Sequence, residues 1–208
     1  MKSILIYGGS FDPPHLGHLN TALTVQAHFK FETVLFLPCK IPVLKKTTQA
    51  SEQHRLNMLK LMLKHHSEFQ ISTVELERDT PSYMSETLQQ MRATYGLECS
   101  ITLLLGMDAF MGLPRWHECN KLPTLCNLLV IKRQDARELD SLIGLFKERC
   151  DNPKNLLTHV QGKVAYFDAG TYSISSTSIR EKIHSGMDVS NDLPVAVERY
   201  IKHHGLYQ

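Results

Sequence analysis

Short apolar runs alternate along the chain with longer segments in which apolar residues recur at helical spacing. The runs are rich in β-branched residues and mostly lack polar alternation, which is typical of strands covered on both faces. They predict strands at residues 3–7, 33–37, 71–76, 101–105, 127–131 and 164–168. The segments between and after them predict helices at residues 16–29, 51–65, 85–96, 136–149, 176–186 and 194–205.

Local signals refine three of these helices. Ser51 has the character of an N-cap at the start of the second helix. Gly96 is typical of the residue that follows a helix and stops it. In the first helix, the spacing of Leu19, Leu23 and Ala27 predicts that they share the face turned to the core.

The alternation of strands and helices predicts the fold class. Right-handed crossovers make neighbouring strands parallel and place helices on both faces of the sheet. We therefore expect an α/β protein with a Rossmann-like doubly wound parallel sheet and a small C-terminal helical part. The chain contains no repeat or domain-scale linker, which predicts one domain over residues 1–208 with the helices of 177–208 packed against it. Ligands of such sheets bind beyond the carboxyl ends of the strands.

Composition narrows the class of protein. The 208 residues carry a formal net charge of +2, too mild a surplus for a nucleic-acid coat or a membrane-surface patch. The five cysteines are odd in number and form no C-x-x-C pair, so we expect free thiols rather than disulfides or a zinc ribbon. The first apolar run is too short for a signal peptide and no run is long enough to span a membrane. These features predict a cytoplasmic protein that binds neither nucleic acid nor membrane.

The segment GGSFDPPHLGH, residues 8–18, leaves the first predicted strand in an unusual way. It is neither a Walker A loop nor a G-x-G-x-x-G fingerprint, yet it meets the needs of a phosphate site. Gly8 and Gly9 let the backbone approach a bulky anion, and the following helix offers N–H groups at its start. His15 and His18 share a face of that first turn. A phosphate site is favoured, while half of a metal site and simple core packing stay open as alternatives.

The same segment resembles the G-[ST]-F-D-P-x-H-x-G-H signature of the nucleotidyltransferase superfamily. ISSTSIR at 174–180 is similar to the superfamily's C-terminal phosphate motif, and TPSYMSETLQQMR at 80–92 and the segment 103–122 resemble motifs of one branch. That branch is the bacterial nicotinate mononucleotide adenylyltransferases. The resemblance implies an enzyme that joins ATP to nicotinate mononucleotide with Mg²⁺ as cofactor, giving nicotinate adenine dinucleotide and pyrophosphate on the way to NAD.

The resemblance also implies which residues form the site. The catalytic pair would be His15 and His18, with no metal held by the protein. ATP would contact Gly8, Gly9, Ser10, Phe11, His15, His18, Asp108, Ser176, Thr177 and Arg180. Nicotinate mononucleotide would contact Lys45, Tyr83, Met84, Trp116 and His117.

Two positions depart from the family pattern. Leu44 stands where the family has His, which leaves phosphate contact in that loop to Lys45, with Lys46 as a second lysine. Met84 stands where the family has Thr, so a hydroxyl contact near the nicotinate carboxylate is lost and only the backbone N–H remains.

Three assigned residues have simpler alternatives. Asp108 could cap a short helix, because Asp is a common N-cap residue. Trp116 could belong to the core, as a single tryptophan often does. Arg180 could be a solvated helix residue.

Rival functions stay open at this level. The acceptor of the adenylyl group could instead be nicotinamide mononucleotide, pantetheine phosphate or a phosphorylated alcohol; enzymes acting on pantetheine phosphate are shorter and lack the segment that holds the tryptophan. A protein that senses nucleotides without turnover is the alternative from another class. The sequence leaves the oligomeric state undetermined.

Overall fold

The apolar runs form the strands of one parallel sheet in the computed structural model, which describes residues 1–43, 48–131, 145–146, 148–170 and 172–208. The strands are β1 (Ser3–Gly9), β2 (Thr33–Pro38), β3 (Phe69–Ile71), β4 (Ser100–Gly106), β5 (Asn127–Ile131), β6 (Glu148–Arg149) and β7 (Lys163–Phe167). The α-helices are α1 (Leu16–Phe29), α2 (Glu52–Leu63), α3 (Met84–Tyr95), α4 (Met107–Met111), α5 (Ser176–His184) and α6 (Val195–His204).

The strand order is β3-β2-β1-β4-β5-β7-β6, and the pairs are parallel throughout. β1 lies between β2 and β4, where the direction of winding reverses and where ligands of open α/β sheets bind. Alternate residues of β1 enter two separate cores: Leu5 packs with α1, α2 and α6, while Ile4 and Ile6 pack with α3. The predicted doubly wound sheet is therefore confirmed, because apolar strands need cover on both faces.

Helix ends follow the local sequence signals. The Ser51 hydroxyl accepts the amide hydrogen of His54 at 3.3 Å and caps α2. Gly96 follows α3 with a φ of 87°, a region that glycine enters without steric penalty. Both predictions are confirmed.

The buried face of α1 differs from the prediction at one residue. Leu19 is buried and Leu23 packs on the core, but Ala27 is exposed. Phe29 occupies the end of the buried face instead, because the larger ring reaches the core from the last turn.

Two other element predictions need correction. The predicted strand 71–76 ends at Ile71, since the chain turns where the amide of Leu76 bonds the carbonyl of Thr73 at 2.8 Å. Most of the predicted helix 136–149 lies outside the described residues, but its last two residues form β6, which pairs with β7.

The two C-terminal helices lie against the sheet domain. α6 packs on α2, where the Tyr200 hydroxyl meets His54 Nδ1 at 2.9 Å and accepts a hydrogen bond from Asn57 at 3.0 Å. The five cysteines are free thiols, as predicted. Within the described part of the chain, no helix has both the length and the apolar character needed to cross a bilayer.

Candidate functional site

The turn after β1 is anchored in the core by an aromatic side chain. Phe11 has a φ of 48°, in the left-handed region, and its ring is 1% exposed. The ring packs against Tyr7 and Phe36 with centroid distances of 5.9 and 5.7 Å. The side chain of Phe11 therefore belongs to the core, and any contact of this residue with ATP would have to come from its backbone.

Asp12 is the point at which distant segments join the turn. Its carboxylate accepts the amide hydrogens of Gln49 at 2.8 Å and Ala50 at 3.1 Å. Its carbonyl oxygen accepts a hydrogen bond from Arg180 Nη1 at 2.7 Å. The Ser176 hydroxyl donates to the next carbonyl, that of residue 13, at 2.9 Å. The start of α5 is therefore docked directly on the turn.

His15 and His18 cap α1 reciprocally. His15 Nδ1 accepts the amide hydrogen of His18 at 3.3 Å, and His18 Nδ1 accepts that of His15 at 3.2 Å. The two rings stack with their centroids 3.6 Å apart. Burial lowers the pKa of His15 from 6.5 to about 4, against a smaller opposing effect of the charge on Asp192. His15 is therefore neutral at physiological pH.

A buried arginine supports the same turn from α2. Arg55 is fully buried and donates to the carbonyl oxygens of Ser10 at 2.7 Å and Lys40 at 3.4 Å. Arg55 is not among the site residues predicted from the sequence. The available signal was a charged residue on the apolar side of a helix, which in a folded chain requires buried acceptors.

The opposite wall of the cleft comes from α3 and the segment after α4. The rings of Tyr83 and His117 lie 4.2 Å apart and 31° from parallel. Trp116 is half-buried and packs on the core while also lining the cleft, so the core and ligand interpretations are both compatible with its position. Met84 reaches across to the turn, because its Cε would lie 3.1 Å from a Cβ placed on Gly8.

A buried carboxylate belongs to the same side of the cleft. Glu75 is 2% exposed and accepts a hydrogen bond from the Thr87 hydroxyl at 2.7 Å. Burial raises the pKa of the Glu75 carboxyl, while hydrogen bonds from Thr87 and Ser82 partly offset the rise. Ser82 Oγ in turn accepts the amide hydrogen of Lys40 at 3.0 Å. Glu75 was also missed, because its partners are distant in sequence.

One cleft of about 1160 Å³ unites the two walls at the carboxyl ends of the strands. Of the residues selected from the sequence, those that line it are Gly8, Gly9, Ser10, His15, His18, Tyr83, Met84, Asp108, Trp116, His117, Ser176, Thr177 and Arg180. Phe11 does not line it, and Lys45, like Leu44 and Lys46, lies outside the described residues. Gly17, Cys39 and Tyr172 line it without having been predicted.

The structure excludes the simpler interpretation given above for two residues, Asp108 and Arg180. Asp108 does not cap α4, because Gly106 occupies the N-cap and Asp108 follows inside the helix, exposed to the cleft. Arg180 is not a solvated helix residue, since it is half-buried and bonded to the turn. Over the described ranges, no group of three or more His, Cys, Asp or Glu side chains is arranged to hold a metal ion.

A glycine-rich turn bearing two histidines, placed where a parallel sheet reverses its winding, defines a class of nucleotide-binding α/β proteins. The cytidylyltransferase-like family model matches residues 6–182, and the chain belongs to that family. The resemblance found in the motifs is thereby confirmed.

Relatives within the family carry a more specific name. A Legionella pneumophila protein named "Probable nicotinate-nucleotide adenylyltransferase" is 45% identical, with 100% of both chains covered. A Pseudomonas fluorescens protein of the same name is 37% identical, with 100% of this chain and 98% of the relative covered.

A solved structure shows the same fold. Plasmodium falciparum nicotinic acid mononucleotide adenylyltransferase complexed with NaAD matches with a TM-score of 0.78 at 21% identity, over 100% of this chain and 98% of that one. The structure of the same protein complexed with APC gives a TM-score of 0.76. At this level of identity the match bears on the fold.

Proposed function

We propose that the protein is a nicotinate-nucleotide adenylyltransferase, which transfers AMP from ATP to nicotinate mononucleotide and releases pyrophosphate. The observation that carries the proposal is that one cleft unites the His15–His18 turn and the start of α5 with an aromatic wall from α3 and the segment after α4. The names of relatives that are 45% and 37% identical, over 100% and 98% of their own length, support it.

The triphosphate would lie between the turn and α5. The first amides of α5 have no partner within the helix, and the Ser175 side chain caps only the amide of Ser178, at 3.1 Å. These amides and the helix dipole favour an anion next to Ser176 and Thr177. Arg180 adds a positive charge on the same side. Asp108, exposed on the other edge of the cleft, would accept a hydrogen bond from a ribose hydroxyl.

The reaction needs alignment and charge neutralisation more than acid–base chemistry. The phosphate of the acceptor is mostly dianionic at neutral pH, because its second pKa is about 6. One of its oxygens forms a bond to the α-phosphorus of ATP, while the bond from that phosphorus to the bridging oxygen breaks and its electron pair leaves with pyrophosphate. Preorganised N–H donors of His15 and His18 would stabilise the charge that develops on the phosphoryl oxygens.

The nicotinate ring would lie against the aromatic wall. α3 begins at Met84, and its N-cap residue Tyr83 provides no side-chain acceptor for the first amides. These amides are suited to a carboxylate, which only accepts hydrogen bonds, whereas the carboxamide of nicotinamide also presents N–H donors. Trp116 offers a face on which the ring can stack. We therefore infer that the acid is preferred over the amide.

Magnesium would enter as part of the MgATP substrate. Mg²⁺ in nucleotide sites is commonly held by phosphate oxygens, waters and at most one or two carboxylates. We infer that residues 1–208 form one nucleotidyltransferase domain with the helices of 177–208 packed against it. A cytoplasmic location and the absence of nucleic-acid and membrane partners stay predictions.

A single assay tests the proposal against its rivals. Purified protein with MgATP should release pyrophosphate only when an acceptor is added, and nicotinate mononucleotide should be used faster than nicotinamide mononucleotide or pantetheine phosphate. A nucleotide sensor would bind ATP and release no pyrophosphate with any acceptor. Equal or reversed use of the nicotinate and nicotinamide nucleotides would contradict the proposed acceptor while retaining adenylyl transfer.

Two variants test whether ATP and nicotinate mononucleotide bind in separate halves of the cleft. Trp116→Ala should raise the KM of nicotinate mononucleotide roughly ten-fold or more and that of ATP by less than about three-fold, because stacking on one substrate is lost. Thr177→Ala should raise the KM of ATP and spare that of the acceptor. Matched increases in both KM values for both variants would contradict the assignment.

A further inference from the structure

Beyond α6 the chain folds back toward the turn that bears the two histidines. Gly205 follows α6 in the left-handed conformation, and the amide of Leu206 bonds the carbonyl of Ile201 at 3.1 Å, as in a Schellman motif. Tyr207 follows with a φ of 66°, which is uncommon for an aromatic residue. Its side chain is only 8% exposed. The tyrosine thus extends into the protein rather than into solvent.

The Tyr207 hydroxyl donates a hydrogen bond to Asp12 Oδ1 at 2.7 Å. Asp12 is 3% exposed, so bulk water has little access to this contact. The same carboxylate accepts the amides of Gln49 and Ala50, and the Asp12 carbonyl accepts from Arg180. Three segments far apart in sequence therefore meet at one residue, three positions before His15.

The contact persists over the working pH range of a protein. Burial, the charge of Asp12 and the hydrogen bond to it all raise the pKa of Tyr207 well above its ordinary value, with Arg180 and Arg55 opposing the rise. The hydroxyl therefore stays protonated and stays a donor. A phenylalanine in its place would keep the shape of the ring and remove only this donor.

We propose that Tyr207 is a positioning residue for adenylyl transfer, which holds Asp12 and through it the His15–His18 pair in register with the phosphates. Tyr207 touches no substrate in this scheme and acts through the backbone of the turn. The proposal rests on the proposed function of the cleft. A small displacement of reacting groups lowers turnover strongly, whereas it affects binding less.

Kinetics of Tyr207→Phe test the proposal, with Tyr200→Phe as the matched control. Tyr200 also lies in the C-terminal part and its hydroxyl is also bonded, but to His54 and Asn57 on α2. Tyr207→Phe should lower kcat roughly ten-fold with each KM within about three-fold of wild type, while Tyr200→Phe should keep kcat within about two-fold. Equal loss of kcat in both variants would show a general effect of stability and overturn the proposal.

An NMR experiment tests the same proposal without relying on the reaction. In proton–carbon NMR spectra, Tyr207→Phe should shift the imidazole resonances of His15 and His18, whereas Tyr200→Phe should shift that of His54. Unchanged His15 and His18 resonances in a folded Tyr207→Phe protein would overturn the proposal. If the wild-type protein forms no dinucleotide, the proposed function fails, and this experiment still decides whether Tyr207 holds the turn.

A second variant covers the case in which Tyr207→Phe does not fold. Asp12→Asn keeps the shape of the side chain and removes the charge that the hydroxyl and the two amides share. It should lower kcat in the same direction and shift the same histidine resonances, and a folded Asp12→Asn protein that changes neither would overturn the proposal. Where Tyr207→Phe does fold, adding it to Asp12→Asn should lower kcat little further. Additive losses in kcat would show that Tyr207 and Asp12 act independently, and this would overturn the proposal.

Discussion

At the scale of single residues, the two histidines of the turn differ in exposure. Both line the cleft, but His15 is only 5% exposed, whereas His18 is half-buried and therefore more accessible from the same helical turn. Because catalysis requires contact with the charge that develops during reaction, His18 is the better placed of the two to carry the larger share.

We expect His18→Ala to lower kcat roughly 10²–10³-fold while ATP binding weakens only modestly, as for the loss of one preorganised donor. Steady-state kinetics and ATP titration measure the two effects separately. His28→Ala, on the same helix but outside the cleft residues, should behave like wild type. Near-normal turnover in His18→Ala would remove this residue from the mechanism.

The low pKa of His15 makes stability depend on pH. The folded protein keeps His15 neutral down to about pH 4, while the unfolded chain takes up a proton below about pH 6.5. The stabilising contribution is therefore complete above pH 6.5, and it is lost progressively as the pH falls toward 4. At about pH 5 the loss amounts to about 2 kcal/mol for this residue.

Urea unfolding of wild type and His15→Gln measures this contribution. The difference in unfolding free energy between about pH 7.5 and about pH 5 should be smaller in the variant by about 2 kcal/mol. His184→Gln, at an exposed position of α5, should retain the full pH dependence. A wild-type pH dependence in His15→Gln would mean that groups other than His15 cause the loss of stability at low pH.

The residues of the turn could be predicted because their signal is local. His15 and His18 are three positions apart and lie behind an apolar strand. The partners of Asp12 and Arg55 could not be predicted, since Gln49 and Tyr207 lie 37 and 195 positions from Asp12, and Arg55 reaches Ser10 across 45 positions. Hydrogen bonds of this range are set by the tertiary fold, and a single sequence carries no periodic trace of them.

At the scale of elements, we propose that the start of α3 distinguishes between the two acceptors. Met84 keeps the backbone amide but contributes no hydroxyl, so the donors facing a carboxylate are fewer than with Thr. We expect Met84→Thr to raise the preference for nicotinate over nicotinamide mononucleotide by about three- to ten-fold, the range expected for one added hydrogen bond. Competition between the two acceptors at equal concentration measures the ratio.

The control for this variant is Met91→Leu, which changes a buried methionine farther along α3. It should leave the ratio of acceptors unchanged, because a volume-conserving change in the core moves the backbone little. A lower preference for nicotinate mononucleotide after Met84→Thr would contradict this expectation. It would indicate that the Met84 side chain excludes the nicotinamide carboxamide by steric contact.

Elements with a strong, regular pattern were predicted well, and exceptions have physical causes. The apolar strands and capped helices agree within a few residues, because burial on both faces and capping both leave marks in sequence. The run 71–76 contains the β-branched residues Ile71, Thr73 and Val74, which favour a strand. The chain nevertheless leaves the sheet after Ile71, and Glu75 accepts a hydrogen bond from Thr87 instead. β6 is too short to leave a pattern.

At the scale of the whole molecule, the two halves of the cleft belong to opposite sides of the switch point in the sheet. The proposed function brings two anionic substrates together in this cleft, so we expect the reaction to depend on a counter-cation. EDTA should abolish pyrophosphate release and added Mg²⁺ should restore it, because the leaving pyrophosphate must be neutralised. Circular dichroism should be unchanged by EDTA. Stoichiometric zinc in the purified protein would instead support a metal site at His15 and His18.

The reciprocal cap between His15 and His18 has a consequence for the protonation isomers of both rings. Each Nδ1 accepts a backbone amide, so in a neutral imidazole the proton must reside on Nε2. The backbone of the first helical turn thus selects one tautomer for both rings at once. A neutral ring at either position therefore presents its Nε2–H as a donor before any nucleotide arrives, and at His15, whose pKa is lowered by burial, binding requires no proton uptake.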